Sequence, residues 1–151
     1  MNATFRRATR DDLPTIVALI ADDQIGRTRE DLSTPPNAAY VEAFAAIQRD
    51  ENQILAVAEQ DGAVIGCLQI TFIPGISRQG MWRGNIESVR VAKELRGQGI
   101  GRAFFEWAIA QCRMRGCKLV QVTTDKRRSD ASRFYQSLGF TPSHDGMKLS
   151  L

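Results

Sequence analysis

Three glycines alternate along the run "RGQGIGR": Gly97, Gly99 and Gly101, with Arg96 before them and Arg102 after. Glycine weakens regular structure, so three at one joint need a reason. The run stands between an alternating segment, "NIESVRV", and a helical one, "AFFEWAIAQCRMRG". A helix start offers unpaired backbone N–H groups and the positive end of the helix dipole. Glycines, lacking Cβ, let anion oxygens come close to that backbone. The chemistry expected here is the holding of a phosphate group. Two glycines would satisfy a tight turn with positive φ angles; three glycines and two arginines favour phosphate. The spacing argues against two common phosphate ligands. A P-loop requires Lys-Ser/Thr after the last glycine, and none follows. The dinucleotide fingerprint is G-x-G-x-x-G in a first βα unit, whereas G-x-G-x-G stands here about two-thirds along the chain.

The elements that must position this loop read as a mixed α/β order, β-α-α-β-β-β-α-β-α-β-β, without strict βαβ alternation. Residues 3–9 predict a short strand. A helix follows, capped by Thr9 or Asp11, with Pro14 in its first turn and Leu13, Ile16, Val17 and Ile20 on one face. The polar stretch 22–37 ends in Pro35-Pro36 and predicts a loop with a short helical piece. Residues 38–50 predict a second helix. "QILAVAEQ" and "AVIGCLQITFI" are strand-like and joined by Asp61-Gly62, a strong hairpin signal. Ile100, Phe104, Ala108 and Cys112 repeat at helical spacing, with Gly116 placed to end that helix. "KLVQVTTD" predicts another strand and "SDASRFYQSLG" a short helix. "FTPSH" and "MKLSL", around Asp145-Gly146, predict two closing strands.

The bulk properties set bounds. The chain has 151 residues, suited to one domain over residues 1–151. Its hydrophobic fraction of 43% and charged fraction of 25% are those of a globular protein. No apolar run reaches membrane-spanning length, and the polar N-terminus shows no signal peptide, so no membrane partner is expected. The net charge of +3 is too small to argue for nucleic acid. Cys67, Cys112 and Cys117 lack metal-ligand spacing and read as reduced thiols of a cytoplasmic protein. The single histidine, His144, argues against a histidine-rich metal site and a Ser-His-Asp triad.

Arg96-Gly97-Gln98-Gly99-Ile100-Gly101 resembles the Q/R-x-x-G-x-G/A signature of the GNAT acetyltransferase superfamily. It stands where that family has it, after a strand and at a helix start. Downstream, Ala131, Phe134-Tyr135 and Gly139-Phe140 resemble the family's A-x-x-[FL]-Y-x-x-x-G-F motif. The order of elements is similar along nearly the whole chain. The resemblance implies a mixed, largely antiparallel twisted sheet of about seven strands with about four flanking helices. It implies two central parallel strands that splay, with a bulge in one. It also implies an acetyl-CoA-dependent N-acetyltransferase that acetylates a primary amine of a small molecule, amino acid or peptide by direct transfer through a tetrahedral intermediate. No metal is implied, and a homodimer is compatible with it.

What the resemblance implies for individual residues follows. The loop from Arg96 to Arg102 would cradle the pyrophosphate of acetyl-CoA, and the strand Ser88, Val89, Arg90, Val91 would pair with its pantetheine arm. Arg133 would reach the cofactor from the last helix, or face solvent. Acetyl transfer to an amine needs a proton acceptor, an oxyanion donor and a proton for the departing thiolate. Glu87, a charge in an otherwise apolar strand, would be the base; a surface carboxylate or an ion-pair partner of Arg90 is its plainer alternative. Tyr135, at the motif's tyrosine position, would be the acid, and a backbone N–H near Val89 the oxyanion donor. Many members carry Asn seven residues before this tyrosine; Arg128 stands there, and "DKRRSD" could instead meet the cofactor's acidic end. Arg78, Arg83 and Trp82 fall in a loop that would choose the acceptor, where arginines suit a carboxylate. A CoA-binding sensor without turnover is the competing expectation.

Overall fold

The computed structural model describes residues 2–151. Its sheet runs in the order β1 (Thr4–Arg7), β2 (Gln53–Gln60), β3 (Ala63–Ile73), β4 (Arg83–Val91) and β5 (Leu119–Gln121). The first four strands are antiparallel neighbours, whereas β5 joins β4 in parallel. Asp61 and Gly62 both take positive φ, 53° and 78°, at the β2–β3 hairpin, as a two-residue hairpin turn requires. The helices are α1 (Leu13–Ala21), α2 (Ala38–Arg49), the short turn α3 (Ser77–Gly80), α4 (Ile100–Met114) and α5 (Ser129–Ser137). No helix among the described residues is long and apolar enough to cross a membrane, and no three metal-ligating side chains gather among them.

The expected mixed α/β class holds, with one correction. The sheet has five strands, not about seven: residues 141–151 form no strand and are exposed throughout. The β5 strand is also shorter than the stretch 118–125 that predicts it. A strand needs a neighbour to satisfy its backbone, and an alternating sequence does not supply one.

Apolar periodicity builds the core. Phe104, Phe105, Ala108 and Cys112 of α4 are fully buried against Leu68, Ile70 and Phe72 of β3 and Ile86 of β4. Phe5 of β1 stacks on Phe104 with ring centroids 4.9 Å apart. Beneath α4, Gly84 lets the helix approach β4 closely: a Cβ there would lie 2.3 Å from Cys112 Sγ. At the other end Arg6 of β1 forks onto Asp12, with Nη1–Oδ2 2.8 Å and Nη2–Oδ1 3.2 Å, and its Nε donates to Glu59 at 2.8 Å. Asp12 also accepts from the Thr9 backbone N–H at 2.7 Å. These bonds fix the turn from β1 into α1 and hold the Asp12 carboxyl below its ordinary 3.8, with Arg6 as the largest cause.

Two outcomes follow from this packing. Gly84→Ala should destabilise by about 1–3 kcal/mol through overpacking against Cys112, read as a lowered denaturant midpoint. Asp12 is depressed in the folded chain, so its contribution is present above pH 3.8 and lost as pH falls through its folded value. Calorimetry on acidification below that pH should show Tm falling more steeply for the parent protein than for Asp12→Asn.

Candidate active site

The site begins where β4 and β5 part. They pair only from Arg83 with Leu119 to Asn85 with Gln121. Past Asn85, β4 runs on to Val91 with β3 on one side and no β5 on the other. Within this free half the register to β3 slips: Gln69 faces Glu87, Cys67 faces Arg90, and Ser88 and Val89 together oppose Leu68. This is a β-bulge, and Ser88 takes a left-handed φ of 56° to make it. The Ser88 carbonyl accepts from the buried Cys67 thiol at 3.6 Å. Burial pushes that thiol up to about 12, so Cys67 stays neutral beneath the bulge.

The glycine loop caps the end of this strand. Arg96 Nε donates to the Val91 carbonyl at 3.1 Å and ties the loop to β4. Gly97 and Gly99 have φ of 80° and 84°, a region that other residues enter only with strain, and no atom lies within 4 Å of where their Cβ would be. Gly99 is the N-cap of α4, and its carbonyl accepts the first helical bond, from Ala103, at 3.0 Å. Beyond it the first-turn N–H groups have no intrahelical acceptor. Gly101 has ordinary backbone geometry and sits close to Val91 and Phe134. An open cradle of N–H groups thus stands at the end of a half-unpaired strand.

Beside the loop a cleft of about 600 Å³ is lined by Val89, Arg90, Val91 and Arg96 on one side and by Asp23, Gln24, Ile25, Arg127 and Arg128 on the other. Asp23 sits between two guanidinium groups. Its Oδ2 lies 2.8 Å from Arg128 Nη2 and 3.6 Å from Arg90 Nη2, and its Oδ1 accepts from the Gly26 N–H. Burial pushes Asp23 up, but the Gly26 N–H and the charges of Arg128 and Arg90 outweigh it, so its carboxyl sits low. The 2.8 Å contact is an ion pair without hydrogen-bond alignment: Arg128 Nη2 and Nε, and Arg90 Nε, are buried donors with no acceptor. Two arginines thus share one carboxylate at the wall of the cleft.

Tyr135 on α5 belongs to a ring cluster, with centroids 5.4 Å from Phe105, 5.5 Å from Phe134 and 6.0 Å from Phe140. Its hydroxyl has no hydrogen-bond partner among the described residues. Burial raises it above its ordinary 10, while the charges of Arg90 and Arg128 pull it back. Tyr135 therefore keeps its proton at neutral pH, near the arginines of the cleft.

The structure brings Val89, Arg90, Val91 and Arg96 together at the cleft, and it places other expected residues elsewhere. Glu87 is exposed on β4, just before the bulge, and its Oε2 accepts from Asn85 Nδ2 at 2.9 Å. Its alternative as partner of Arg90 does not hold, because Arg90 pairs with Asp23. Arg102 turns away from the loop and donates to Ser137 Oγ at 2.9 Å, fastening α4 to α5. Arg133 is exposed and paired with Asp130 at 2.7 Å. The contact of Asp23 with Arg128 was not evident from the sequence. Only the acidic pair Asp22-Asp23 and the basic run before α5 mark it, and nothing local pairs them.

The pattern of the acetyltransferase (GNAT) family matches residues 17–140. The chain belongs to the GNAT acetyltransferase family. It is 30% identical over 140 residues to the aminoalkylphosphonate N-acetyltransferase of Salmonella typhimurium, covering 93% of this chain and 86% of that one. It is 32% identical over 110 residues to the phosphinothricin N-acetyltransferase of Alcaligenes faecalis, covering 72% of this chain and 54% of that one. Among solved structures, one described as a transcriptional regulator from Bacillus halodurans superposes with a TM-score of 0.96 at 47% identity, over 99% of this chain and 100% of that one. In this GNAT chain the loop, the bulge and the parting strands occupy the places that the family resemblance predicts.

The glycines should differ in their tolerance of a side chain. Gly99→Ala forces a residue into a left-handed cap and should weaken acetyl-CoA binding about tenfold, in line with a strain of ~1–3 kcal/mol. Gly101→Ala meets only ordinary contacts, and Arg102→Ala removes a bond to Ser137, so both should bind within about twofold of the parent. Isothermal calorimetry distinguishes the three.

Proposed function

We propose that this GNAT acetyltransferase moves the acetyl group of acetyl-CoA to a primary amine of a small anionic molecule. The observation that carries this is the joining of an N–H cradle at Gly97–Gly101 to the unpaired, bulged half of β4. The residues suit the donor. The cradle and Arg96 would hold its diphosphate, the free edge at Ser88 to Val91 its amide groups, and the cleft wall formed by Arg90 and Arg128 its polar oxygens. When bound, acetyl-CoA supplies an acetyl thioester activated toward amines.

The chain's own groups supply the proton handling. Glu87, exposed at the mouth of the bulge, takes a proton from the incoming ammonium directly or through water. Tyr135 holds a proton on Oη that a departing thiolate can take. A backbone N–H freed by the bulge near Val89 stabilises negative charge on oxygen. Two relatives named for an aminoalkylphosphonate and for phosphinothricin support an amine acceptor with an oxyanion. Three buried cysteines outside any disulfide support a reducing cytoplasmic setting. A second reading, a CoA-binding sensor without turnover, draws on the description of the Bacillus halodurans neighbour.

The deciding experiment follows thiol release from acetyl-CoA across a panel of amines with and without a phosphonate, phosphate or carboxylate group. Anionic amines should give the highest kcat/KM; binding of acetyl-CoA with no release on any amine favours the sensor. With an active acceptor, Tyr135→Phe and Glu87→Gln should each lower kcat by roughly 10²-fold or more, the usual scale of acid–base catalysis. Full turnover in both removes the assigned roles. Because Tyr135 is raised, the activity it supports should persist through neutral pH and fall only above pH 10.

A further inference from the structure

We propose that Asn85 is a positioning residue for the transfer: held by Gln121, it fixes the Glu87 carboxylate beside the bulge. This rests on Glu87 serving as the base. Strand alternation puts Asn85 and Glu87 on one face of β4, while Ile86 between them is buried on the other. The register lines up neighbours on that face. Gln53 of β2, Thr71 of β3, Asn85 of β4 and Gln121 of β5 form one row across the sheet, and Gln69 of β3 stands opposite Glu87 in the next row. The bonds of these rows divide at Asn85. Gln69 Nε2 and Thr71 Oγ1 both donate to Gln53 Oε1, at 3.1 and 2.9 Å, so both reach toward β2. Asn85 is Thr71's partner in register but bonds elsewhere. Its Nδ2 donates to Glu87 Oε2 at 2.9 Å, and its Oδ1 accepts from Gln121 Nε2 at 3.4 Å.

A side-chain amide has one donor end and one acceptor end, so each of these two bonds orients the other. With Gln121 on its oxygen, Asn85 turns N–H toward the carboxylate. Asn85 and Gln121 are also the last rung that β4 and β5 share before they part. The tether therefore stands at the root of the gap and reaches two residues on, toward the bulge. Asparagine is depleted in strands, whose pleated surface suits β-branched and aromatic side chains. Here one holds a half-buried place on an inner strand, with both polar ends met. An exposed glutamate left to itself samples several rotamers. The bond from Asn85 restrains Glu87 through Oε2, and Oε1 meets no donor among the described residues. Oε1 is thus left to take the ammonium proton, directly or through water, and the N–H bonding pair becomes the lone pair that attacks the thioester. A base already in place spares the reaction the search for that geometry.

Steady-state kinetics of the full chain with acetyl-CoA and 2-aminoethylphosphonate test this. Asn85→Ala should lower kcat roughly tenfold or more and leave both KM values within about twofold, the pattern of a group that acts in the transition state. Gln121→Ala should lower kcat by a smaller factor. In a Glu87→Gln background neither substitution should lower kcat further, because the carboxylate they hold is gone. A change that merely loosened the sheet would lower kcat in both backgrounds. A ¹H–¹⁵N spectrum gives a reading without turnover: the Asn85 side-chain amide signals should move in Glu87→Ala and in Gln121→Ala. Signals that stay in place in Glu87→Ala overturn the tether. An unchanged kcat in Asn85→Ala, or an equal loss in both backgrounds, overturns it and leaves Glu87 as the base. A raised KM for the amine with kcat unchanged makes Asn85 a direct contact of the acceptor, which overturns it too. Full turnover by Glu87→Gln, or no turnover by the parent on any amine of the panel above, removes the base and the tether together.

Discussion

Everything at the site depends on the parting of β4 from β5. Backbone N–H and C=O groups must find partners, and two parallel strands normally provide them for each other. Here the shared ladder stops after three residues on each side. The rest of β4 is held by β3 alone, through a bulge that turns Ser88 into the left-handed region. That arrangement leaves an edge of backbone groups along the cleft lined by Val89, Arg90 and Val91. The neutral Cys67 thiol below and the fully buried Ile86 beside it keep the bulge on an apolar bed. The cleft exists because β5 does not follow β4.

The electrostatics continue from the same gap. Space between the two strands lets the loop after α1 and the approach to α5 reach each other, and Asp23 meets Arg128 and Arg90 there. One carboxylate between two guanidinium groups leaves the cleft positive. The Gly26 N–H keeps Asp23 in place on its far oxygen. A single acid thus organises two bases beside the cleft, a local field suited to a ligand rich in phosphate and carbonyl oxygens.

Much of this was legible in the sequence because it was local. The glycine spacing, the Asp61-Gly62 hairpin and the helical repeat of Phe104, Ala108 and Cys112 each depend on neighbours within a few positions. Non-local facts were not legible. Arg102 beside the loop looked like a phosphate contact, yet Ser137 on another helix claims it. Arg128 departs from the family's asparagine, but its partner lies in the loop after α1. The alternation in residues 147–151 spelled a strand that does not form, since a strand depends on what stands alongside. Glu87 illustrates the same limit: its charge in an apolar strand left a base and a surface carboxylate both open, and its bond to Asn85 was not visible.

The α5 helix has no fully buried residue. Its hold on the body comes from ring contacts of Phe134 and Tyr135 and from the Arg102–Ser137 bond. Such an element opens at a lower free energy than the sheet beneath it. On warming, Tyr135 would leave its place with α5 while the strands and α4 remained folded. Warming would thus loosen the α5 side of the cleft before the sheet and α4 give way.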